Sequence, residues 1–445
     1  MRIAFIRPNL RETRSTDAME PLCFAILKSL TPRGVDTVLY DERLEPIPLD
    51  EPTDLAALTV ETFTARRAYQ IADGFRRRGV PVVMGGYQPT FLPDECLEHA
   101  DAVVQGDAEG VWPQVVEDAA AGRLRRIYRQ EEFPPMGGRL PDRSVFAGKR
   151  YAPLTLVQYG RGCRFNCDFC SIRAFYGSSV RQRPIEEVVA ELRGQAGSHV
   201  FFVDDNLFVD VAKATALFEA LVPLRIRWSC QTSIDVARDR GLVRLMARSG
   251  CTTALVGFES LDSENLRQMR KGWNLKWAPY ESSIRVFQDA GVMLYGTFVF
   301  GYDRDTSESF DRAANFALRN RFFLANFNPL TPTPRAPLLD RLRREGRLLF
   351  DRWWLDPAYR YGQATFRPRG MTADELTEGC WRARQRFYSY RSIARRLVAP
   401  RTNVRSAHRA AIFLSANLIS RREISAKQGS PLGEPVVSAA GVGCA

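Results

Sequence analysis

Three cysteines set the chemistry this chain can do. Cys163, Cys167 and Cys170 stand with three and then two residues between them, in the run Gln158-Tyr159-Gly160-Arg161-Gly162-Cys163-Arg164-Phe165-Asn166-Cys167-Asp168-Phe169-Cys170. Thiolates are soft ligands suited to iron–sulfur clusters, and a [4Fe–4S] cube ordinarily takes four of them. No fourth cysteine follows nearby. Three irons can therefore be held and the fourth left open, to bind a substrate or cofactor and deliver an electron to it. A structural zinc knuckle is the competing use of clustered cysteines. Zinc wants four ligands, often from C-x2-C pairs, and none of His99, His199 and His408 is close in sequence.

The loop resembles the signature of the radical S-adenosylmethionine (radical SAM) superfamily, C-x3-C-x-aromatic-C, with Phe169 as the aromatic. The resemblance implies that the open iron chelates the amino and carboxylate groups of SAM. It implies that one electron then cleaves SAM to methionine and a 5′-deoxyadenosyl radical, which abstracts a hydrogen atom. By the same resemblance Tyr159, Gly162 and Phe169 lie around the cluster and the adenine. Asp204 and Asp205, with Asn206, occupy the strand end that serves the SAM amino group in other branches. Gln231 and Ser233 point into the barrel, and Glu259 of Gly-Phe-Glu-Ser sits near the ribose, where a carboxylate can accept both hydroxyl protons. Gly296 and Gly301, with Asp303 and Thr306, look like a glycine-rich strand end that lets SAM approach the backbone. The ordinary alternative for any one acid is a helix cap or a solvated turn.

The elements that must position these residues read as an α/β chain. From Leu154 to Leu330 about six apolar strands alternate with helical stretches, which predicts a partial (β/α)6 barrel over residues 151–340 with its polar groups at the strand C-termini. Residues 1–135 carry five short apolar strands alternating with helices, the pattern of a flavodoxin-like doubly wound parallel sheet. Ligands of such sheets sit beyond the strand C-termini, where Gly85, Gly86 and Gly106 fall. This segment is similar to the cobalamin-binding domain that precedes the radical SAM core in one large subfamily. The matching stretches are Ala68 to Asp73, Val82 to Thr90 and Val104 to Trp112. Many such domains carry Asp-x-His-x-x-Gly after the first strand, the His ligating cobalt. Here the slot reads Pro8-Asn9-Leu10-Arg11-Glu12-Thr13, with no His, as in several members of that subfamily. A domain that only packs against the barrel is the other reading. Residues 136–150, rich in Pro and Gly nearby, are expected to be a linker.

The charge is concentrated at the other end. Arg341 to Ile424 holds 19 Arg, no Lys and 7 acidic residues, which accounts for the whole net charge of +12. An acidic partner, a membrane surface or a solvated arginine face would each fit. Residues 341–424 are expected to be a helical module, with a helix over Arg341 to Phe350 and another opened by Thr372 and Glu375 at capping-box spacing. The module resembles the C-terminal extension of the cobalamin branch, which closes over the barrel mouth. That makes Trp353, Trp354 and Tyr361 candidate pocket or packing residues. The apolar middle of His408 to Arg422 is too short to span a bilayer and is left to pack on the barrel or lie on a membrane. Residues 425–445 lack periodicity and are expected to be a disordered tail.

The resemblance implies a cobalamin-branch radical SAM enzyme that uses a [4Fe–4S] cluster, S-adenosylmethionine and cobalamin to methylate an unactivated carbon. The implied partners are a small-molecule or lipid-like substrate and an external electron donor of flavodoxin or ferredoxin type. Scattered remaining cysteines and an oxygen-sensitive cluster point to a reducing, cytoplasmic setting. A cyclisation, rearrangement or other C–H transformation, with or without cobalamin, is the first alternative. A non-catalytic iron–sulfur or RNA-binding protein is the second, though no aromatic-and-basic RNA motif is present. Neither G-x-G-x-x-G after the first strand nor a phosphate loop occurs.

Overall fold

The computed structural model describes residues 1–195 and 199–434. Six parallel strands make the N-terminal sheet: Arg2–Arg7, Asp36–Asp41, Leu55–Thr59, Val82–Gly85, Ala102–Gln105 and Ile127–Arg129. Their spatial order is second, first, third, fourth, fifth, sixth, so the chain reverses direction across the sheet after the first pair. Apolar strands buried on both faces explain the two separate cores. One lies under Leu22–Leu30 and Trp112–Ala120, the other under Ala65–Arg77. The sixth strand has only three residues, two of them exposed, and its short pattern hides it in the sequence.

The second sheet is also wholly parallel. Leu154–Val157, His199–Phe202, Arg227–Thr232, Cys251–Glu259, Met293–Phe300 and Leu324–Pro329 pair in chain order, with helices on the outer face. Alternate residues divide the layers. Phe202, Trp228, Cys230, Phe258 and Phe298 pack outward against the helices, leaving Gln231 and Thr297 for the interior.

Six strands do not close a barrel, and each edge would leave backbone groups unpaired. On the last strand the C-terminal module meets them one by one. The Tyr388 hydroxyl takes the Ala325 N–H at 3.3 Å and donates to the Ala325 carbonyl, and Arg384 Nε donates to Phe327 O at 2.8 Å. Arg396, wholly buried, uses all five N–H groups: on Ser392 Oγ, the Phe322 and Phe323 carbonyls, the Phe387 carbonyl and Asn417 Oδ1. Its guanidinium carbon lies 3.8 Å from the Phe387 ring centre, and burial pulls its pKa down to about 10. On the first strand Arg143 donates to Leu156 O at 2.5 Å. Part of the arginine excess is therefore structural capping.

Three expectations are corrected here. The helix placed over Arg341 to Phe350 instead runs Pro337–Arg344, because Pro337 opens it and Gly346, at φ +64°, ends it. Residues 136–150 are not a plain linker: Arg143–Phe146 forms a helical turn that buries Val145 and Phe146 against the N-terminal sheet. The tail expectation fails for 425–434, where the helix Ala407–Lys427 runs on, Leu432 is buried and the Gly433 N–H reaches Leu10 O at 2.6 Å. Residues 435–445 lie outside those described. The capping box of Thr372 and Glu375 opens Ala373–Phe387 as its spacing predicts.

Candidate functional site

The cysteine loop leaves the first barrel strand and ends in the short helix Ser171–Tyr176. Cys163, Cys167 and Cys170 are free and half-buried. Burial raises all three thiols, Cys167 to about 12. Against it stand donors that favour the thiolate: the Phe165 N–H and the Asn206 side chain at Cys163, the Ile172 and Arg173 N–H groups at Cys170, and the Lys271 ammonium near Cys163 and Cys167. Free thiols have no use for such a set, whereas metal-bound thiolates do, so the residues fit a cluster. Among the described residues no three His, Cys, Asp or Glu converge on one point. A single metal ion would need that convergence; a cube, with one iron per cysteine, does not.

Two strand ends shape this loop. Asp204 accepts the Tyr159 N–H at 3.0 Å and the Gly160 N–H, and Asp205 accepts the Gly162 N–H at 2.7 Å. Gly162 is at φ +92°, and a Cβ there would come within 2.0 Å of Ser179 O, so only glycine serves. Burial raises Asp204 to about 7, against the two N–H bonds that lower it. The structure thus engages both oxygens of Asp204 and one of Asp205 on the cluster loop. Gln231 donates to Asp204 O at 3.4 Å from the barrel interior, and Ser233 binds Asp235 and accepts from Asn206 at 3.3 Å.

Glu259 ends the fourth barrel strand at φ +63°, a left-handed conformation unusual for a non-glycine residue, just after a register shift. It is nearly buried. Its Oε1 accepts from Lys271 Nζ at 3.0 Å and its Oε2 from Thr297 Oγ1 at 3.4 Å. A Cβ on Gly257 would sit 2.1 Å from Glu259 Oε1 and 3.0 Å from Lys271 Nζ; the glycine makes room for the pair. Burial lowers the Lys271 pKa, but Glu259 and then Cys167 outweigh it, and the net shift is upward. Lys271 escaped the sequence reading because it immediately precedes a short helical turn, Gly272–Trp277, and does not stand at a strand end. The signal available was a lysine twelve residues after the carboxylate it must neutralise.

Other expectations move. Tyr159 points outward into the barrel core beside Val188 and Leu192, and its neighbour Gln158 faces inward instead, as strand alternation requires. Phe169 is half-buried against the same core. Gly296 faces the helix layer, where a Cβ would lie 2.5 Å from the Phe322 ring, so it is a packing glycine. Gly301, at φ +117°, lets Phe366 and Leu376 of the C-terminal module approach. Asp303 pairs with Arg347 at 3.1 Å, and Thr306 caps the helix Ser307–Arg319. Trp353 and Trp354 are buried against the N-terminal domain, with Tyr361 packed beside them, and do not line the cavity described next.

A cavity of about 330 Å³ lies where the C-terminal ends of the N-terminal sheet face the cysteine loop. Its lining mixes apolar side chains, Phe24, Leu27, Ala57, Val83, Val104 and Trp112, with the ion pair of Arg7 and Glu61 at 3.1 Å. Gly85, Gly86 and Gly106 form one rim. Gln158, Arg161 and Tyr176 form the other. A Cβ at Gly85 would touch only Val104, at 3.9 Å, and one at Gly106 only Phe133, at 3.6 Å. Gly85 and Gly106 therefore border open space, whereas Gly86, at φ +109°, is needed for the backbone: a Cβ there would lie 2.9 Å from Val60 O. Arg161, two residues before Cys163, pairs with Asp107 at 3.0 Å and Glu109 at 2.6 Å, and Arg181 joins Asp107 at 2.7 Å. This buried network ties the loop after Gly106 to the cysteine loop. In the slot after the first strand Asn9 donates its amide to Thr13 O at 2.7 Å, and no histidine stands there.

The sequence pattern of the Radical SAM superfamily matches residues 157–317. The bacteriochlorophyllide d C-12(1)-methyltransferase of Chlorobaculum tepidum is 30% identical over 390 residues, covering 85% of this chain and 84% of that protein. Two solved structures share the fold. The radical SAM methyltransferase TsrM from Kitasatospora setae, with tryptophan and a SAM analogue bound, is 16% identical with a TM-score of 0.62, covering 77% of this chain and 76% of its own. The cobalamin-dependent SAM radical enzyme OxsB, with aqua-cobalamin bound, is 14% identical with a TM-score of 0.66, covering 95% of this chain and 72% of its own.

Proposed function

The chain belongs to the radical SAM superfamily, in its methyltransferase-like branch with an N-terminal cobalamin-binding-type domain, and from that premise we propose that it transfers a methyl group to an unactivated carbon of a small biosynthetic substrate. One observation carries the reading: the cavity bordered by Gly85 and Gly106 opens onto the cysteine loop, so a second cofactor held there lies next to the first. In this reading Cys163, Cys167 and Cys170 would hold a [4Fe–4S] cluster, and the cavity bordered by Gly85 and Gly106 would receive cobalamin. When bound, these groups supply reductive SAM cleavage, hydrogen abstraction and a transferable methyl.

The chain's own residues have definite tasks. Asp204 and Asp205 fix the backbone from Tyr159 to Gly162 and so aim the first cysteine. Lys271 holds Glu259 where a ribose can meet it, and its charge offsets the thiolates. Arg161, Asp107 and Glu109 keep the two cofactor sites at a set separation, which near-attack geometry requires. The buried surroundings exclude water. A small-molecule substrate and an external electron donor belong to the same reading.

A second reading, a radical transformation without methyl transfer, is favoured by the slot at Pro8 to Thr13, which offers no cobalt ligand. The experiment that separates them is anaerobic reconstitution with iron, sulfide and hydroxocobalamin, then measurement of iron and cobalt after desalting. Iron near four per chain with stoichiometric cobalt is expected, together with a Co(II) EPR spectrum free of protein nitrogen splitting. Iron without cobalt would sink the methyl-transfer reading and leave the second.

A further inference from the structure

The residues outside the cofactor sites form one surface that neither the fold nor the reaction explains. Among the described residues eight large hydrophobic side chains are exposed, and five of them fall on two packed helices and the residue that ends the first: Tyr390 (68%), Val398 (64%), Leu414 (38%), Leu418 (47%) and Ile419 (38%). The patch is built by the helices Tyr390–Leu397 and Ala407–Lys427. They are locked together by the bond from Arg396 to Asn417 at 2.8 Å and by packing of Ile393 and Leu397 on Phe413. Phe413, Asn417 and Glu423 face inward. Ala407, Ala411, Leu414 and Leu418 recur at helical spacing on the outward face, with Ile419 beside them.

The charge around this face has one sign. From Tyr388 to Arg422 there are eight arginines and no acidic residue. Arg396 is buried and Arg401 pairs with Asp289 at 2.9 Å. Arg391, Arg395, Arg405 and Arg422 are exposed around the apolar strip, and Arg421 lies over the Tyr390 ring at 4.5 Å. The first acid after them, Glu423, is buried and engaged with Thr16 and with Lys427 at 3.2 Å. The long helix has 21 residues, about 30 Å of length. No described helix is long and apolar enough to cross a membrane.

We propose that this face binds the surface of an anionic lipid bilayer, with Leu414, Leu418 and Ile419 entering the headgroup–acyl boundary and the arginine rim meeting lipid phosphates. An exposed apolar strip on a helix rimmed by cations is the arrangement that interfacial binding uses. A second copy of the chain is the wrong occupant on charge grounds, since a symmetric contact would bring two acid-free arginine rims together. None of the strip or rim residues lines the cavity beside the cysteine loop. One end of the helix is anchored by Arg409 on Gly291 O, at the opposite end of the barrel strand from the site, and the other by Lys427 on Asp17. The attachment sets where the enzyme works, not its chemistry, and it stands whether or not the methyl-transfer reading does.

The test is cosedimentation of the reconstituted full chain with vesicles of phosphatidylcholine alone or with about a third phosphatidylglycerol. Binding to the anionic vesicles at least about tenfold tighter than to the neutral ones is expected, weakening as salt is raised. Leu414→Ser with Leu418→Ser should lower that binding at least about tenfold while iron content and thermal unfolding stay at wild-type values. Arg391→Gln, Arg395→Gln and Arg422→Gln together should abolish the preference for anionic lipid. Absence of binding to anionic vesicles, or binding indifferent to the serine pair, would overturn the proposal. So would a concentration-dependent dimer that the serine pair dissolves, which would assign the face to a second copy.

Discussion

The two parallel sheets present their C-terminal ends to the same space, and they are made differently. The N-terminal sheet ends in glycines over a cavity, with Phe24, Val104 and Trp112 beneath. The barrel ends in thiols, in acids and in a buried lysine, the acids and the lysine fixed by hydrogen bonds. One end receives by shape, with space left where side chains would be. The other receives by charge and soft ligands, with Glu259 paired to Lys271 and the two aspartates held by backbone N–H groups. Side-chain polarity makes the second kind visible in a sequence, whereas the first is written only as small residues.

That contrast can be broken at either end. The largest effect is a cross-over. Replacing Cys163, Cys167 and Cys170 together by alanine should bring bound iron to background, and Gly85→Leu should leave iron unchanged while lowering bound cobalt at least about tenfold, because a Cβ at this cavity-lining position meets only Val104, at 3.9 Å. Cobalt retained by Gly85→Leu would mean that the cavity is not the receptor by shape.

A smaller effect belongs to the buried pair. Lys271→Met leaves the Glu259 carboxylate buried without its partner and should cost about 3–5 kcal/mol in denaturant unfolding of the apoprotein. Lys271→Met with Glu259→Gln should cost clearly less. Equal costs would show that the pair is not coupled.

The smallest effect is a pH slope. Asp204 has a folded pKa raised by burial to about 7, above its unfolded value, so the folded state holds the proton between the two. Stability from this group is greatest at low pH and falls as pH rises from about 4 to about 7. Wild-type stability relative to Asp204→Asn should therefore drop with rising pH in that window, by at most about 1.4 kcal/mol per pH unit. A pH-independent difference would place the carboxyl in a more solvated setting.

Much of this was legible in the residues. Strand positions followed from short apolar runs, and the cysteine spacing marked the loop that holds the chemistry. Parity defeated the finer readings. Resemblance placed Tyr159 around the cluster and Gly296 beside SAM, but Tyr159 is buried in the main barrel core and Gly296 faces the helix layer, where period-two alternation along its strand puts it. The Arg161 network was missed because Asp107 and Glu109 are more than fifty residues away, and Lys271 because it stands outside the strand ends. Trp353 and Trp354 illustrate the reverse error. Large aromatics attract a functional reading, yet their indole N–H groups are engaged on Pro332 O and Glu95 in a packed interface.

The capped edge of the barrel has a consequence during synthesis. The strand Leu324–Pro329 leaves the ribosome 57 residues before Arg384 can reach Phe327, and 63 before Tyr388 can reach Ala325. At about 5–20 residues per second, the nascent chain carries a bare, adhesive strand for about 3–13 s. Two chains on one messenger are then close enough to join by it. The arginines that close this edge arrive last, so a ribosome that stalls between Pro329 and Arg384 strands the protein in its most aggregation-prone form.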